Sequence, residues 1–159
     1  IIGTAGSAEK AELAKASGCE NVINYKDEDF LEKVLDITEG AGVDVVYDGV
    51  GKDTALKSLA CLKDLGMLVI FGNSSGNSPP IDPTLLAKKS LFLTRPTLMT
   101  YCASRENMVM SANRVFSFLK EKKINVNIGK EYLLSDVVKA HIDLESRNTT
   151  GSIILKNDY

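Results

Sequence analysis

Residues 43–51, Val-Asp-Val-Val-Tyr-Asp-Gly-Val-Gly, limit the possible folds more than any other stretch of the chain. Four of the first five residues are apolar or aromatic and three are β-branched, the signature of a strand buried on both faces. The run ends at Asp48, Gly49 and Gly51, where the backbone can turn sharply and approach a ligand closely. The design repeats at residues 66–72, Gly-Met-Leu-Val-Ile-Phe-Gly, which open into Asn73-Ser74-Ser75-Gly76. With a helical stretch between them, the two runs make a parallel βαβ unit. Ligands of such sheets sit beyond the carboxyl ends of the strands, so the chemistry is expected at residues 48–51 and 71–75.

The rest of the chain alternates in the same way as far as residue 94. Residues 1–4 read as a strand, Ala5-Gly6 as a turn, and Ser7 as the cap of a helix over 8–17, with Gly18 at its end. A strand at 21–25 precedes a helix opened by Asp27 or Asp29, whose Phe30, Leu31, Val34, Leu35 and Ile37 form one apolar face. Residues 52–63 read as a helix with Leu56, Leu59, Ala60 and Leu62 inward, and residues 66–71 as the next strand. A Ser/Gly/Asn/Pro-rich loop over 73–83 leads to a short helix, 84–89, and a strand, 91–94. The alternation then stops. An amphipathic helix over 105–122 carries Met108, Val109, Val115, Phe116 and Leu119, followed by a strand (126–132), a helix (135–146) and a last strand (152–156). The pattern predicts an α/β fold: a Rossmann-type doubly wound parallel sheet over residues 1–97, joined to part of another domain over 98–159.

Composition excludes several classes of function. The 19 Lys and Arg are scattered and the net charge is −2, which argues against a phosphate-tracking surface and hence against nucleic acid as a partner. No apolar run approaches the ~20 residues of a membrane span, and no secretory signal is visible. Cys19, Cys61 and Cys102 are odd in number and far apart, which suits reduced thiols and a cytoplasmic setting. The chain opens directly in strand-like sequence without a methionine, so a fragment of a longer protein is expected.

The turn after the first strand carries the clearest chemical signal. A Rossmann unit that binds NAD ends its second strand in Asp or Glu, which grips the ribose. Thr4 holds that place here, with Ser7 and Lys10 one turn on at a helix N-terminus, where N–H groups and a cation suit an extra phosphate. The pattern favours NADPH over NADH. Taken singly, Ser7 also reads as a plain cap, Lys10 as a solvated lysine, Tyr25 as a packing residue at a strand end, and Arg147 as a cation ending a helix. The loop Phe71-Gly72-Asn73-Ser74-Ser75-Gly76 offers close backbone approach and polar side chains for ribose or carboxamide; its other reading is a flexible connection. His141, the single histidine, reads as structural. The sequence holds no Cys-x-x-Cys, His-Glu-x-x-His or Gly-x-Ser-x-Gly motif, so neither a zinc site nor a nucleophile is expected. The glycine fingerprint Gly-x-Gly-x-x-Gly is also missing and is expected just upstream of Ile1.

Ile2-Gly3-Thr4, Val22-Ile23-Asn24-Tyr25, Val45-Val46-Tyr47-Asp48-Gly49-Val50-Gly51, Phe71-Gly72-Asn73-Ser74-Ser75-Gly76, Thr94-Arg95-Pro96 and Leu144-Glu145-Ser146-Arg147 occur together in this order. The set resembles the NADPH-dependent quinone oxidoreductases, the zeta-crystallin-like, zinc-free branch of the medium-chain dehydrogenase/reductase superfamily. The resemblance covers the C-terminal half of such a protein. It implies that the first strand and glycine loop of the cofactor domain are absent, and that residues 98–159 return to a GroES-like catalytic domain. It further implies that Lys10, Tyr25 and Arg147 surround the 2′-phosphate of NADPH, near Thr4 and Ser7. Phe71, Gly72, Asn73 and Ser74 would meet the nicotinamide half, as would the backbone of Val50 and Gly51. No catalytic side chain or metal is implied, since the cofactor itself delivers hydride to a quinone. A homodimer through residues 91–94 is implied as well. An enoyl or alkenal reductase on the same scaffold, or a non-enzymatic NADPH-binding, crystallin-like protein, would carry the same cofactor residues.

Overall fold

A computed structural model describes residues 1–146 and 149–157. The chain forms two compact units, Ile1–Tyr101 and Cys102–Tyr159.

The first unit follows a β-α-β-α rhythm. Strand β1 (Ile2–Ala5) leads through a turn to helix α1 (Ala8–Ala16), capped by the Ser7 side chain, and then to β2 (Asn21–Asn24). Helix α2 (Phe30–Ile37) starts at Asp29, whose carboxylate accepts the Leu31 N–H at 3.0 Å. Strand β3 (Val43–Asp48), helix α3 (Ala55–Ala60), strand β4 (Leu62–Ile70), helix α4 (Thr84–Ala87), strand β5 (Phe92–Thr94) and helix α5 (Leu98–Tyr101) complete it.

All pairings in this unit are parallel, as the crossover helices require. Strands β1 and β2 pair with each other, while β3, β4 and β5 form a second sheet in that order. Between β1 and β3 lies a cleft of about 780 Å³, walled by residues 1–4 on one side and 43–50 on the other. Helix α2 bridges the two sheets: Phe30 and Val34 pack with Ile23 of β2, with Cys61, and with Val43 and Val46 of β3. Burying such side chains stabilises by about 1.5–3 kcal/mol each, enough for one helix to hold two sheets together. The other core joins Ala55 and Leu59 of α3 to Leu62, Leu68 and Ile70 of β4, closed by Ile81, Leu86 and Leu91.

Three expectations need correction. Strand β3 is covered on one face only, since Val46 faces the core while Val45 is 41% and Tyr47 73% exposed. The elements packed against β3 and β4 meet the face of Val46, Leu68 and Ile70, while Val45, Tyr47 and Met67 on the other face stay exposed. Helix α3 is half the expected length, because the Cys61 carbonyl already accepts the Val43 N–H at 2.9 Å and draws the chain into β4 at Leu62. Its buried face is Ala55, Ser58 and Leu59; Leu56 and Ala60 are exposed.

In the second unit, Ser104 caps helix α6 (Arg105–Lys120), on which no residue is buried. Strand β6 (Ile128–Leu133), a 3-10 turn, helix α7 (Val137–Glu145) and strand β7 (Ser152–Lys156) form one parallel β-α-β unit. Buried Tyr132 donates its hydroxyl to Asp143, which also receives the Lys130 ammonium at 2.8 Å and fixes α7 to β6.

Candidate functional site

At the carboxyl end of β1, Ser7 leaves the strand path in extended conformation and accepts the Lys10 N–H at 3.3 Å. The Tyr25 N–H donates to the Ala5 carbonyl at 3.1 Å, which places Tyr25 beside the turn. Its hydroxyl lies over Gly6, where an added Cβ would stand 2.7 Å from it. Ser7, Lys10 and Tyr25 are therefore gathered around one helix N-terminus, where unsatisfied N–H groups favour an anion. Thr4 lies one residue before the end of β1 and lines the cleft. Arg147 lies outside the described residues.

The carboxyl ends of β3 and β4 interlock. The Asp48 carbonyl accepts the Phe71 N–H at 2.9 Å, the Gly49 carbonyl the Ser74 N–H at 3.2 Å, and the Val50 carbonyl the Ser75 N–H at 2.9 Å. Ser75 Oγ donates to the same Val50 carbonyl at 2.8 Å and accepts the Asp53 N–H at 3.1 Å. In return, the Gly76 carbonyl accepts the Lys52 N–H at 3.0 Å. Two glycines are required by this contact. Gly51 has φ +87°, and a Cβ there would stand 2.5 Å from the Gly76 oxygen; a Cβ on Gly72 would stand 2.5 Å from the Gly49 oxygen. Val50, Gly51, Phe71, Gly72 and Ser74 thus belong to one rigid double loop, with Phe71 lying across Gly49. Asn73, in the same loop, donates its side-chain amide to Asn77 at 3.1 Å.

Beneath this double loop sits Asp48, 4% exposed. Oδ1 accepts the Val50 N–H at 2.8 Å and the Gly51 N–H at 3.0 Å; Oδ2 accepts the Ser58 hydroxyl at 2.8 Å. The Thr54 hydroxyl is shared between the two oxygens at 2.9 and 2.8 Å. Burial pushes this carboxyl up, but the hydrogen bonds from Gly51, Ser58, Thr54 and Val50 outweigh it and hold the group below the ordinary carboxylate range. Four donors at about 1.5–3 kcal/mol each are on the scale needed to offset the several kcal/mol lost on burying a charge. Thr54 and Ser58 were not among the residues expected at the site. Their signal is faint: two small hydroxyls four apart, Thr54 at the start of α3 and Ser58 within it, which places them on one face. On the cleft floor, burial, reinforced by Asp29, pushes the Cys61 thiol up to about 11, so it stays protonated and unreactive at neutral pH.

Residues 1–117 match a family described as zinc-binding dehydrogenase. Among the described residues, no group of three or more His, Cys, Asp or Glu could hold a metal ion. No described helix is long and apolar enough to cross a membrane. The chain is 44% identical over 158 residues to quinone oxidoreductase 1 of Escherichia coli K12, covering 98% of this chain and 48% of that protein. It is 41% identical over 157 residues to a 2-haloacrylate reductase of Burkholderia sp., covering 98% of this chain and 47% of that protein. The solved structure of the Escherichia coli quinone oxidoreductase complexed with NADPH superposes with a TM-score of 0.92 at 44% identity, over 97% of this chain and 48% of that one. The chain thus spans about half the length of these relatives, matching their C-terminal half. Its parallel strand-helix alternation agrees with theirs, and by its match over residues 1–117 the chain belongs to the zinc-binding dehydrogenase family.

Proposed function

We propose that this chain is the cofactor-binding half of an NADPH-dependent quinone reductase. The observation that carries the reading is its likeness, over 97% of its length, to a quinone oxidoreductase complexed with NADPH. Residues 1–97 are the cofactor domain and residues 98–159 return to the catalytic domain. The missing part supplies a further parallel strand for the cleft between β1 and β3, where each strand has one unpaired edge. The position agrees with strand order 3-2-1-4-5-6, in which the first strand, with its glycine turn, is central.

In this reading Thr4, Ser7, Lys10, Tyr25 and Arg147 hold the 2′-phosphate end of the cofactor. Thr4 contributes by being neutral, since an acid there would repel the phosphate. Val50, Gly51, Phe71, Gly72, Asn73 and Ser74 hold the nicotinamide half. The double loop admits no Cβ at Gly51 or Gly72, which suits a backbone surface laid against a flat ligand. NADPH, when bound, supplies the hydride; the chain orients it, and no side chain described here acts as acid, base or nucleophile.

The 41% identity to a 2-haloacrylate reductase supports a second reading, reduction of an activated carbon–carbon double bond from the same cofactor site. NADPH oxidation by the full-length protein, followed at 340 nm with a panel of quinones and enones, separates the two. Turnover with quinones is expected. Turnover confined to enones would select the second reading, and no NADPH oxidation with either would sink both. A second copy of the chain pairs along the open edge of β5, where Phe92 and Leu93 are exposed. Phe92→Pro removes a ladder donor there, so sedimentation of the folded variant should show monomer; an unaltered dimer would place the interface elsewhere.

A further inference from the structure

Asp48 touches no ligand in the reading above, yet it is the most costly side chain in the double loop to bury. An apolar residue would join β3 to α3 more cheaply, as Val46 and Leu59 do nearby. At this position one carboxylate oxygen accepts two successive backbone N–H groups, those of Val50 and Gly51, while the other accepts Ser58 and the two share Thr54. Both N–H groups are thereby turned inward, and the Val50 carbonyl is left facing Ser75, which bonds it through both its N–H and its hydroxyl. The orientation of two peptide planes on the first loop, and the register of the second loop against it, follow from this one side chain. Both of its oxygens are engaged by these donors.

We infer that Asp48 is the positioning residue for the nicotinamide half of the cofactor, acting through the backbone of Val50 and Gly51 and through the Ser75-anchored loop. The inference rests on the NADPH reading above, and it makes the two ends of the binding site separable. The Ser7–Lys10–Tyr25 turn lies at the end of β1, in a different sheet from Asp48, whose oxygens are taken up by Val50, Gly51, Thr54 and Ser58, so the phosphate end should be indifferent to it.

The test is calorimetric titration of the full-length protein with NADPH and, separately, with adenosine 2′,5′-bisphosphate, which carries the phosphate end and lacks the nicotinamide. Asp48→Ala should weaken NADPH roughly tenfold to a hundredfold, the scale of a misplaced binding group, and leave the bisphosphate within about twofold. Asp48→Asn keeps an acceptor for the Val50 and Gly51 N–H groups and should restore most of the NADPH affinity. If Asp48→Ala does not fold, Thr54→Val removes one donor at nearly constant shape and should weaken NADPH alone, by about threefold to tenfold. Loss of both ligands in parallel by a folded variant, or of neither, would overturn the inference while leaving the cofactor reading intact. A wild-type protein that binds neither ligand would overturn the cofactor reading itself, and the inference with it.

Discussion

The turn after β1 and the turn after β3 stand at the carboxyl ends of strands that flank the same cleft, and they are secured by different means. Among the described bonds, the first shows a cap three residues long, Ser7 to the Lys10 N–H at 3.3 Å, and a backbone bond from Tyr25. The second is held by a buried carboxylate and by a second loop more than twenty residues away, through Ser75 to Val50 and to Asp53. In the proposed reading, the contrast fits what each end recognises. A phosphate is met by charge and N–H groups that tolerate some adjustment, whereas a flat ring laid on backbone demands peptide planes that do not move.

The comparison breaks most visibly at the glycines. Gly51 and Gly18 both adopt positive φ, +87° and +94°, but Gly51 is walled by Gly76 and Asn73 while Gly18 has nothing within 4 Å. Gly18→Ala should therefore cost only the conformational penalty, about 1 kcal/mol. Gly51→Ala adds overpacking against backbone and should cost about 3 kcal/mol or more. Denaturant unfolding of the two variants checks this; equal losses would mean that the double loop is softer than it looks.

Next in size is the loss of the proposed phosphate contact. Lys10→Ala should weaken NADPH by about 1.5–3 kcal/mol, the scale of a charge-assisted hydrogen bond, and leave NADH nearly unchanged. A parallel loss of both cofactors would remove Lys10 from the 2′-phosphate end. Ser7→Ala probes the same turn at its cap and should cost about 1 kcal/mol of stability, measurable as a lowered unfolding midpoint; no change would show that the Tyr25 backbone bond suffices.

The smallest effect is one of slope. Asp48 has its carboxyl held below the ordinary range in the folded protein. Its stabilising contribution is fully present above the unfolded value of ~3.9 and is lost as pH falls through the folded value. Thermal unfolding followed from pH 7 down to pH 3 should show wild type losing stability more steeply than Asp48→Asn below about pH 4. Superimposable curves would mean that the carboxylate gains nothing from its donors.

The pattern of apolar runs and turn residues carried the element order, the parallel pairing, the Ser7 cap, the start of α2 at Asp27 or Asp29 (the structure selects Asp29) and the glycine at the end of α1, because each depends on a few neighbours along the chain. The glycines ending the two apolar runs also pointed to the double loop, where Gly51 and Gly72 leave no room for a Cβ. The length of α3 was not legible, because it ends where Cys61 meets Val43 of another strand. Nor was the bare face of β3, whose exposure depends on which side the helices pack rather than on the composition of the strand. Least legible of all was the work of Asp48. At the end of a strand it reads as a turn residue, and only the tertiary structure brings Thr54, Ser58 and two backbone N–H groups onto one buried carboxylate. Local propensities and spacing follow the chain, and sequence alone determined what they govern; hydrogen bonds that close across separate elements exist only once those elements have packed.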